Sequence, residues 1–532
     1  MKNTELLMRA ESCWDGLQEF RETRRRNINY IYGDQWGDLV VDDDGKVVTE
    51  RQRIVEHTGG VPLQNNHLIK IVHALTGLMT RQHTLPECYA RGDVTEESEA
   101  KSLMMTNALQ TNWEVNGMRE LMLSQMEELM QGGVSVVCEE WGKRGGEEDA
   151  YTYSVNPDYF FFESKMSDPR LWDVSLIGEI RDYKLGELVS KLGRKGPGYD
   201  QLRRLYQPLA SPALFCRNAQ LTSLHEQMDF RHPPVEHLCR TYHVWTLEHR
   251  LRYRCVDRTD QRSPVFRIEA DNLADVEAEN SRRRRIHGSG AALIDFEPVY
   301  EQVWHFTLLA PDGTVLDSYD SPYAHREHPY VMTVYHFVNG KIYPFMSTVI
   351  DQQRYINRLI TLNDMYINSA VKGLKMIPKR SIPRDMTLEE FARQAVEVGG
   401  WIVYEPDPTG AKPEIISQNA INLGVNEMLN LQLSSINEIT SVNSSLQGVP
   451  PSGNTGYQRY AMEMENSSTS VAALTGKFTD FQRRLAKKKM KVIHQFYQQP
   501  RLVGSARADR YGQFALYEPR QVRDIDFRVS IS

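Results

Sequence analysis

This chain of 532 residues lacks the features of a secreted, membrane-spanning or strongly basic protein. Its few cysteines are scattered and include no C-x-x-C pair, which is typical of free thiols in a reducing compartment. No apolar run approaches the roughly 20 residues that a membrane helix needs, and the first residues lack the apolar core of a signal peptide. The net charge of -7 argues against tight, nonspecific binding of nucleic acid by the whole surface, but not against local basic patches.

Motifs of the common catalytic sites are also missing. Gly476-Lys477 lacks the upstream glycine and the following Ser or Thr of a phosphate-binding loop, so the sequence does not predict an ATP-driven motor. No G-x-S-x-G elbow occurs. The run from His225 and Glu226 to Asp229 is a near miss for the zinc motif H-E-x-x-H, and no further ligand supports it. We therefore predict no catalytic residues, no metal site and no cofactor.

The first 345 residues predict a mixed body of helices and strands, so the expected fold class is α+β. Residues at helical spacing predict helices, which lie at 1–30, 64–84, 96–130 and 270–287. Alternating or apolar runs predict strands, which lie at 134–138, 151–155, 174–180, 237–257 and within 299–336. The acidic run 42–44 resembles a cation loop but lacks the full calcium-binding pattern, and we predict a hairpin turn there.

Residues 346–448 predict two long amphipathic helices, about 346–371 and 421–446, on either side of a compact insert. The helices should lie side by side, because the insert must start and end close together. Their polar faces are rich in uncharged residues: Gln352, Gln353, Asn357, Asn363, Asn368, Asn430, Gln432, Ser434 and Asn437. Such faces suit a helix that neighbouring subunits surround or that faces a wet cavity, since a solvated face usually carries more charge.

The insert, residues 373–419, predicts a small α/β domain of its own. Its short helix at 387–396 begins with a capping box formed by Thr387 and Glu390. Extended segments near 376 and 413–416 and a strand at 401–404 complete it. The insert is therefore expected to be an independent lobe between the two long helices.

The last part of the chain predicts a polar loop, a basic helix and a strand. The loop begins with Pro450-Pro451 and contains glycines. The helix covers about 470–498 and is rich in Lys and Arg, and residues 525–531 alternate like a strand. The basic run suits contact with DNA, pairing with the acidic surface of a neighbouring subunit, or solvent. Residues 282–285, four arginines, suit a solvated helix end more than a phosphate site.

The order of these segments resembles the portal proteins of tailed bacteriophages, particularly the podovirus-like group. Each matching motif is short, and their order carries the resemblance. The motifs are 26–36 (RNINYIYGDQW), 65–68 (NNHL) before a helix with Gly77, the glycine hairpin before Asn156-Pro157, Asp168-Pro169 with Asp173 and 177–179 (IGE), the two long helices around an insert, and 453–456 (GNTG) before a basic helix.

The resemblance implies a ring, usually of twelve subunits, at one capsid vertex of the virion, assembled in the host cytoplasm. It implies that residues 1–345 and 471–532 form the wing, the latter with the start of a crown. The stem helices are 346–372 and 420–448, the clip is 373–419 and the tunnel loop is 449–470. Double-stranded DNA passes through the channel of such a ring. The implied partners are the terminase large subunit, a head-tail adaptor, and the major capsid and scaffolding proteins, with no membrane.

The same resemblance implies site residues in two segments. The tunnel-loop residues nearest DNA are expected to be Asn454, Gln458 and Arg459. The clip residues expected to dock partners are Arg380, Arg384, Glu389, Trp401 and Tyr404. From the run of basic residues itself, the candidates for a surface that meets DNA, a neighbouring subunit or solvent are Arg483, Arg484, Lys487 and Lys488.

Two other functions remain open on the sequence. A metal-dependent nuclease or hydrolase predicts a cleft with clustered carboxylates of perturbed pKa and a bound metal. A ring scaffold without a DNA role predicts a ring whose opening is narrower than a B-DNA duplex, which is roughly 20 Å wide.

Overall fold

The structure, a computed structural model, describes most of the chain and divides it into two compact units. Unit 1 contains Met1–Arg25, Thr76–Phe345 and Ala472–Ser532, and unit 2 contains Arg26–Leu75 and Met346–Val471. Residues 26–75, which the sequence grouped with the rest of 1–345, thus belong with the long helices. The described residues are 3–58, 60–81, 85–91, 95–163, 168, 172–193, 196–207, 229–235, 237–257, 266–270, 273–288, 293–372, 374–376, 387, 390, 414–416, 424–442, 446, 465–466, 469–504, 514–523 and 525–531.

The described elements are mixed helices and strands, as an α+β fold requires. The helices run Asn3–Asp15, Gln18–Tyr32, Glu50–Thr58, Leu68–Arg81, Glu96–Val115, Met118–Gly132, Leu185–Leu192, Tyr199–Tyr206, Leu273–His287, Ile350–Lys372, Val425–Thr440, Ala472–Phe496 and Pro519–Val522. The strands are β1 Leu39–Val41, β2 Val47–Thr49, β3 Pro86–Ala90, β4 Val134–Arg144, β5 Glu147–Ser154, β6 Phe160–Phe162, β7 Leu176–Lys184, β8 Leu238–Asp257, β9 Phe266–Ala270, β10 Ile294–Leu309, β11 Val315–Asp320, β12 Tyr330–Val334, β13 Phe337–Val338, β14 Lys341–Ile342, β15 Leu374–Met376, β16 Glu414–Ile416, β17 Arg501–Gly504, β18 Phe514–Tyr517 and β19 Phe527–Ile531. Within the described ranges, no helix is both long and apolar enough to cross a membrane.

The largest sheet of unit 1 is antiparallel, in the order β11-β10-β8-β7-β6, with β9 also paired to β8. The strands predicted at 174–180 and 237–257 are confirmed as β7 and β8. The two longest strands, β8 and β10, pair from Ile294↔Asp257 to Leu309↔Tyr242. Where β7 pairs with β8, the backbones leave no room for a side chain at Gly178. A Cβ there would lie 2.3 Å from the His243 carbonyl oxygen. Glycine is therefore required at that position of the sheet.

A second sheet of unit 1 has the order β12-β4-β5 and contains the predicted hairpin. Its strands are longer than predicted, because β4 and β5 stay paired as far as Arg144↔Glu147. The turn is made by Gly145 and Gly146, whose φ angles of 59° and 96° favour glycine. Gly142 is still within β4.

Two predicted helices are each interrupted. The helix expected over 1–30 is split near Gly16, and the one expected over 96–130 is split at Asn116-Gly117. Gly117 has a φ of 59°, and the Asn116 side chain donates to the carbonyl oxygens of Asn112 and Ala150. The break thus anchors the end of one helix to β5. An Asn-Gly pair is the sequence signal for it, since both residues tolerate the left-handed region.

The basic helix (Ala472–Phe496) is buried on one side in unit 1. Its apolar residues Met490, Val492 and Ile493 share a core with the helix Glu96–Val115 and with the last strand. That strand, β19, is the one predicted near 525–531, and it pairs with β3 from Phe527↔Ala90 to Ile531↔Pro86. Much of the basic helix is therefore core and not surface.

Unit 2 contains the two long helices and the base of the insert. The first long helix (Ile350–Lys372) and the second long helix (Val425–Thr440) contact each other, as predicted. Strands β15 and β16 pair from Leu374↔Ile416 to Met376↔Glu414, so the two ends of the insert meet. Thr387 and Glu390 form the predicted capping box: the Glu390 carboxylate accepts from the Thr387 N–H at 3.0 Å, and Thr387 Oγ1 accepts from the Glu390 N–H at 3.3 Å. Most of the helix predicted at 387–396 and the strand predicted at 401–404 lie outside the described residues.

One ion pair lies wholly within the core of unit 1. Lys489 Nζ is 3.1 Å from Glu139 Oε1, and both side chains are 0% exposed. Lys489 also donates to Asn112 Oδ1 at 2.7 Å. Burial lowers the pKa of Lys489 and raises that of Glu139, while each charge opposes the shift of the other. Removing one partner would leave the other charged group buried without compensation.

We expect Lys489→Met to lower the free energy of unfolding by about 3–5 kcal/mol, because Glu139 then stays buried without its cation. The double variant Lys489→Met/Glu139→Gln should lose less than the sum of the two single variants. Urea denaturation followed by circular dichroism measures both. The control is Lys487→Met on the exposed side of the same helix, for which a change within about 0.5 kcal/mol is expected. Equal losses for the two lysines would contradict this assignment.

Candidate functional site

The polar side of the first long helix is largely buried within unit 2. Gln353 and Asn357, one turn apart, are 0% and 1% exposed. Gln353 Nε2 donates to the Asn65 carbonyl oxygen at 2.6 Å, and Gln353 Oε1 accepts from the His67 N–H at 3.0 Å. Asn357 Oδ1 accepts from the Asn65 N–H at 3.0 Å. The two amides therefore bind the backbone of the segment before the helix Leu68–Arg81.

A third residue extends this row. Thr361 Oγ1 accepts from the Leu63 N–H at 3.1 Å, so residues four apart on the helix bind backbone N–H groups two apart on the segment. Four residues of helix rise about 6 Å, and two residues of extended chain about 6.6 Å. The two repeats match closely enough for three successive contacts. We name Gln353, Asn357 and Thr361 the polar ladder.

Gln35 completes the polar ladder from the other side. Its Oε1 accepts from Asn357 Nδ2 at 2.6 Å and from Gln353 Nε2 at 3.1 Å. Its own Nε2 donates to the Tyr30 carbonyl oxygen. An amide has both a donor and an acceptor, so a chain of amides can satisfy backbone groups on both sides.

The ladder corrects the interpretation of the uncharged polar face. Gln353 and Asn357 were expected to face a neighbouring subunit or a wet cavity, but they are buried against their own chain. Unpaired backbone N–H groups of a segment without regular structure need partners, and these amides supply them. On the second long helix, Asn430 and Ser434 are exposed, and they keep the original interpretation open. The side chain of Asn368 lies outside the described residues.

Sequence reasoning also missed an ion-pair fork beside the ladder. Glu50, at the start of the helix Glu50–Thr58, is nearly buried. Its Oε2 is 2.8 Å from Arg354 Nη2, and its Oε1 accepts from Arg358 Nε at 2.9 Å. The two arginines are four residues apart, so they lie on one side of the helix. That spacing was the available signal, but nothing in the sequence identifies the distant glutamate.

Both long helices also expose apolar side chains. Leu362 is 58% exposed on the first and Leu431 is 56% exposed on the second. The others with large exposed surface are Tyr355, Met428 and Ile439. Tyr355 and Leu362 are seven residues apart, and Met428 and Ile439 are eleven apart, so each pair lies along one side of its helix. We name these five residues the exposed stripe.

The structure divides the predicted basic-helix residues between two environments. Arg483 and Lys487 are exposed, and Arg483 pairs with Asp480 on the same helix. Arg484 donates to the Met332 carbonyl oxygen at 2.9 Å. Lys488 is only 8% exposed and donates to the carbonyl oxygens of His328 and Tyr330. Lys488 was predicted at a surface, and this is wrong because its ammonium group satisfies backbone oxygens inside unit 1.

The other predicted site residues lie outside the described part of the chain. These are the tunnel-loop residues Asn454, Gln458 and Arg459 and the clip residues Arg380, Arg384, Glu389, Trp401 and Tyr404. His225 and Glu226 of the near-miss zinc motif also lie outside it.

One group of potential metal ligands occurs among the described residues. Asp42, Asp43 and His57 bring single ligand atoms within 4.8 Å of one another. The aspartates belong to the predicted hairpin turn, which is confirmed: β1 and β2 pair from Leu39↔Thr49 to Val41↔Val47. His57 Nε2 lies 3.3 Å from Asp42 Oδ1, so the imidazole already has a partner. The group is explained by turn formation and this contact.

The polar ladder generates a stability prediction. Replacing Gln353 and Asn357 by Leu removes the acceptors of the part-buried N–H groups of Asn65 and His67, at about 1 kcal/mol for each lost hydrogen bond. We expect urea unfolding to show that loss and hydrogen exchange, followed by mass spectrometry, to accelerate in residues 61–67. The control Asn430→Leu replaces an exposed amide, and its free energy should stay within about 0.5 kcal/mol. Unchanged exchange in the double variant would show that the ladder does not hold the segment.

The family to which the chain belongs follows from comparison with known proteins. No curated protein matches the chain. A family model described as Phage P22-like portal protein matches residues 7–517. The match includes both units and nearly the whole length. The chain therefore belongs to the P22-like family of phage portal proteins.

Proposed function

We propose that this portal protein forms a ring at one vertex of a phage capsid, as a conduit for double-stranded DNA during packaging and ejection. The observation that carries the proposal is the match to the portal family over residues 7–517. The ring contains about twelve copies, which is the usual number in the resembling portals. It also serves as the platform for the terminase large subunit and the head-tail adaptor, and contacts the major capsid and scaffolding proteins.

The division into units supports the assignment of parts. The longer segment of unit 2 runs from Met346 to Val471, next to the predicted limits of stem, clip and tunnel loop, while its other segment, Arg26–Leu75, lies within the predicted wing. We therefore keep 346–372 and 420–448 as stem, 373–419 as clip and 449–470 as tunnel loop. Asn454, Gln458 and Arg459 are the proposed contacts with DNA. The clip residues Arg380, Arg384, Glu389, Trp401 and Tyr404 are the proposed docking groups.

The exposed stripe supports assembly with further copies of the chain. Exposed side chains as large as Leu362 and Leu431, together on helices that pack side by side, are typical of a surface that a partner covers. A neighbouring stem is the partner that a ring supplies, since every subunit presents the same stripe. Burying a leucine contributes roughly 1.5–3 kcal/mol, so several such residues per subunit would favour assembly.

Electron microscopy of the purified full-length protein tests the proposal directly. The expected particle is a ring whose central opening is wider than a B-DNA duplex, which is roughly 20 Å wide. A ring with a narrower opening favours a scaffold without a DNA role. A protein that remains monomeric, both alone and with its capsid and scaffolding proteins, contradicts the proposal.

We expect Leu362→Arg or Leu431→Arg to shift the protein from rings to monomers, because a charge buried at a subunit contact lacks a partner. Mass photometry of the purified variants measures the distribution of species. Leu362→Ile and Leu431→Ile keep the apolar area and should still form rings. Intact rings in both arginine variants would show that the exposed stripe is not the contact between subunits.

A further inference from the structure

Unit 1 contains a pocket of about 530 Å³ between the basic helix and the segment that leads into β12. Arg484, Lys487, Lys488 and Lys491 line one wall. Their spacing of three and four residues places them on one side of the helix. The opposite wall includes His325, Arg326, Glu327 and His328, and the side chains of Trp172 and Trp304 complete it. A cavity of this size accommodates a small ligand of nucleotide dimensions.

The lining carries more positive than negative charge. Five of its side chains are Lys or Arg and one, Glu327, is a carboxylate. Lys488 pairs with Glu327 at 3.2 Å and also donates to backbone oxygens, so it neutralises that carboxylate. Arg326 pairs with Glu301. Among the described residues, Lys487 and Lys491 form no ion pair, which leaves two ammonium groups available to a ligand.

In two imidazole groups of the lining, one ring nitrogen is buried without a hydrogen-bond partner. His325 Nδ1 accepts from the Glu327 N–H at 3.0 Å, so the proton of the neutral ring lies on Nε2. His325 Nε2 is buried without a partner, and so is Nδ1 of His328. Burial, with Lys488 and Lys491, lowers the pKa of His325 to about 2. At neutral pH this ring is therefore an uncharged N–H donor without an acceptor, beside two lysines.

We propose that this pocket binds a phosphate group, either of a small phosphate ester or of a nucleic-acid backbone. Phosphate presents several acceptor oxygens around one centre, which suits donors that converge from two walls. Lys487, Lys491 and the remaining N–H groups of Arg484 supply charge, and His325 Nε2 supplies a neutral donor. Trp172 is 73% exposed, so its indole offers a face on which a base can stack. The pocket lies in unit 1 and the site is independent of the proposed conduit.

Isothermal titration of the full-length protein at low salt tests the proposal with three probes. These are inorganic phosphate, deoxyadenosine 5′-monophosphate and a short blunt DNA duplex. The variant Lys487→Gln/Lys491→Gln removes the two lysines without an ion-pair partner. Arg483→Gln is the matched control, since it removes a cation of the same helix outside the pocket. Circular dichroism checks folding, and Lys487→Glu alone, at an exposed position, provides a second variant.

We expect at least one probe to bind the wild-type protein and the double variant to weaken its affinity about 10-fold or more, as the loss of charge-assisted hydrogen bonds implies. Arg483→Gln should bind as the wild type does. Binding of phosphate and the nucleotide, but not the duplex, assigns a free ligand. Binding of the duplex alone, with affinity falling steeply with salt, assigns a nucleic-acid backbone.

Trp172→Ala, at an exposed position, separates stacking from phosphate binding. It should weaken binding of the nucleotide several-fold and leave that of inorganic phosphate unchanged. Two results overturn the proposal: none of the three probes binds, or the lysine variants bind them as tightly as Arg483→Gln does.

Discussion

The buried ammonium group of Lys489 holds together the parts of unit 1 that surround it. It contacts Glu139 of β4 and Asn112 of the helix Glu96–Val115. Asn112 in turn donates to Asp149 Oδ1 of β5 at 2.8 Å, and the hydroxyl group of Tyr497 donates to the same oxygen at 2.6 Å. Burying opposite charges costs desolvation that only good geometry offsets. The network therefore favours one register of the basic helix against the hairpin over its alternatives.

The position of Lys489 explains how one basic helix contributes both to the core of unit 1 and to the wall of the pocket. Successive residues point about 100° apart around a helix, so Lys488 and Lys489 meet different surroundings although they are adjacent in sequence. Lys489 enters the core, whereas Arg484, Lys487, Lys488 and Lys491 share the other side. A core contact thus sets the rotation of the helix, and that rotation determines which cations line the pocket. The charge run is not a single basic patch.

The periodicity of apolar residues predicted most elements of the fold, because the burial of one side of an element leaves a pattern within that element's own sequence. The strands at 174–180 and 237–257, the hairpin, both long helices and the final strand are all present. The predictions fail where a contact with a residue distant in sequence determines the local structure. The break at Gly117 depends on the contact of Asn116 with Ala150, and the burial of Lys488 depends on carbonyl oxygens some 160 residues away, the separation from His328. The spacing of residues within one segment carries no information about such distant pairs.

The polar ladder shows the same limit for function. Uncharged amides on an amphipathic helix suit either a subunit contact or a cavity, but they also suit the backbone of a neighbouring segment. Gln353, Asn357 and Gln35 serve the last role, so their polarity reflects how unit 2 holds its own chain. Because Leu63, Asn65 and His67 are bound through backbone atoms, the ladder imposes little on their side chains. Groups of unit 2 that are available to a partner are therefore better sought among exposed positions, such as Asn430 and Ser434, than among the buried amides.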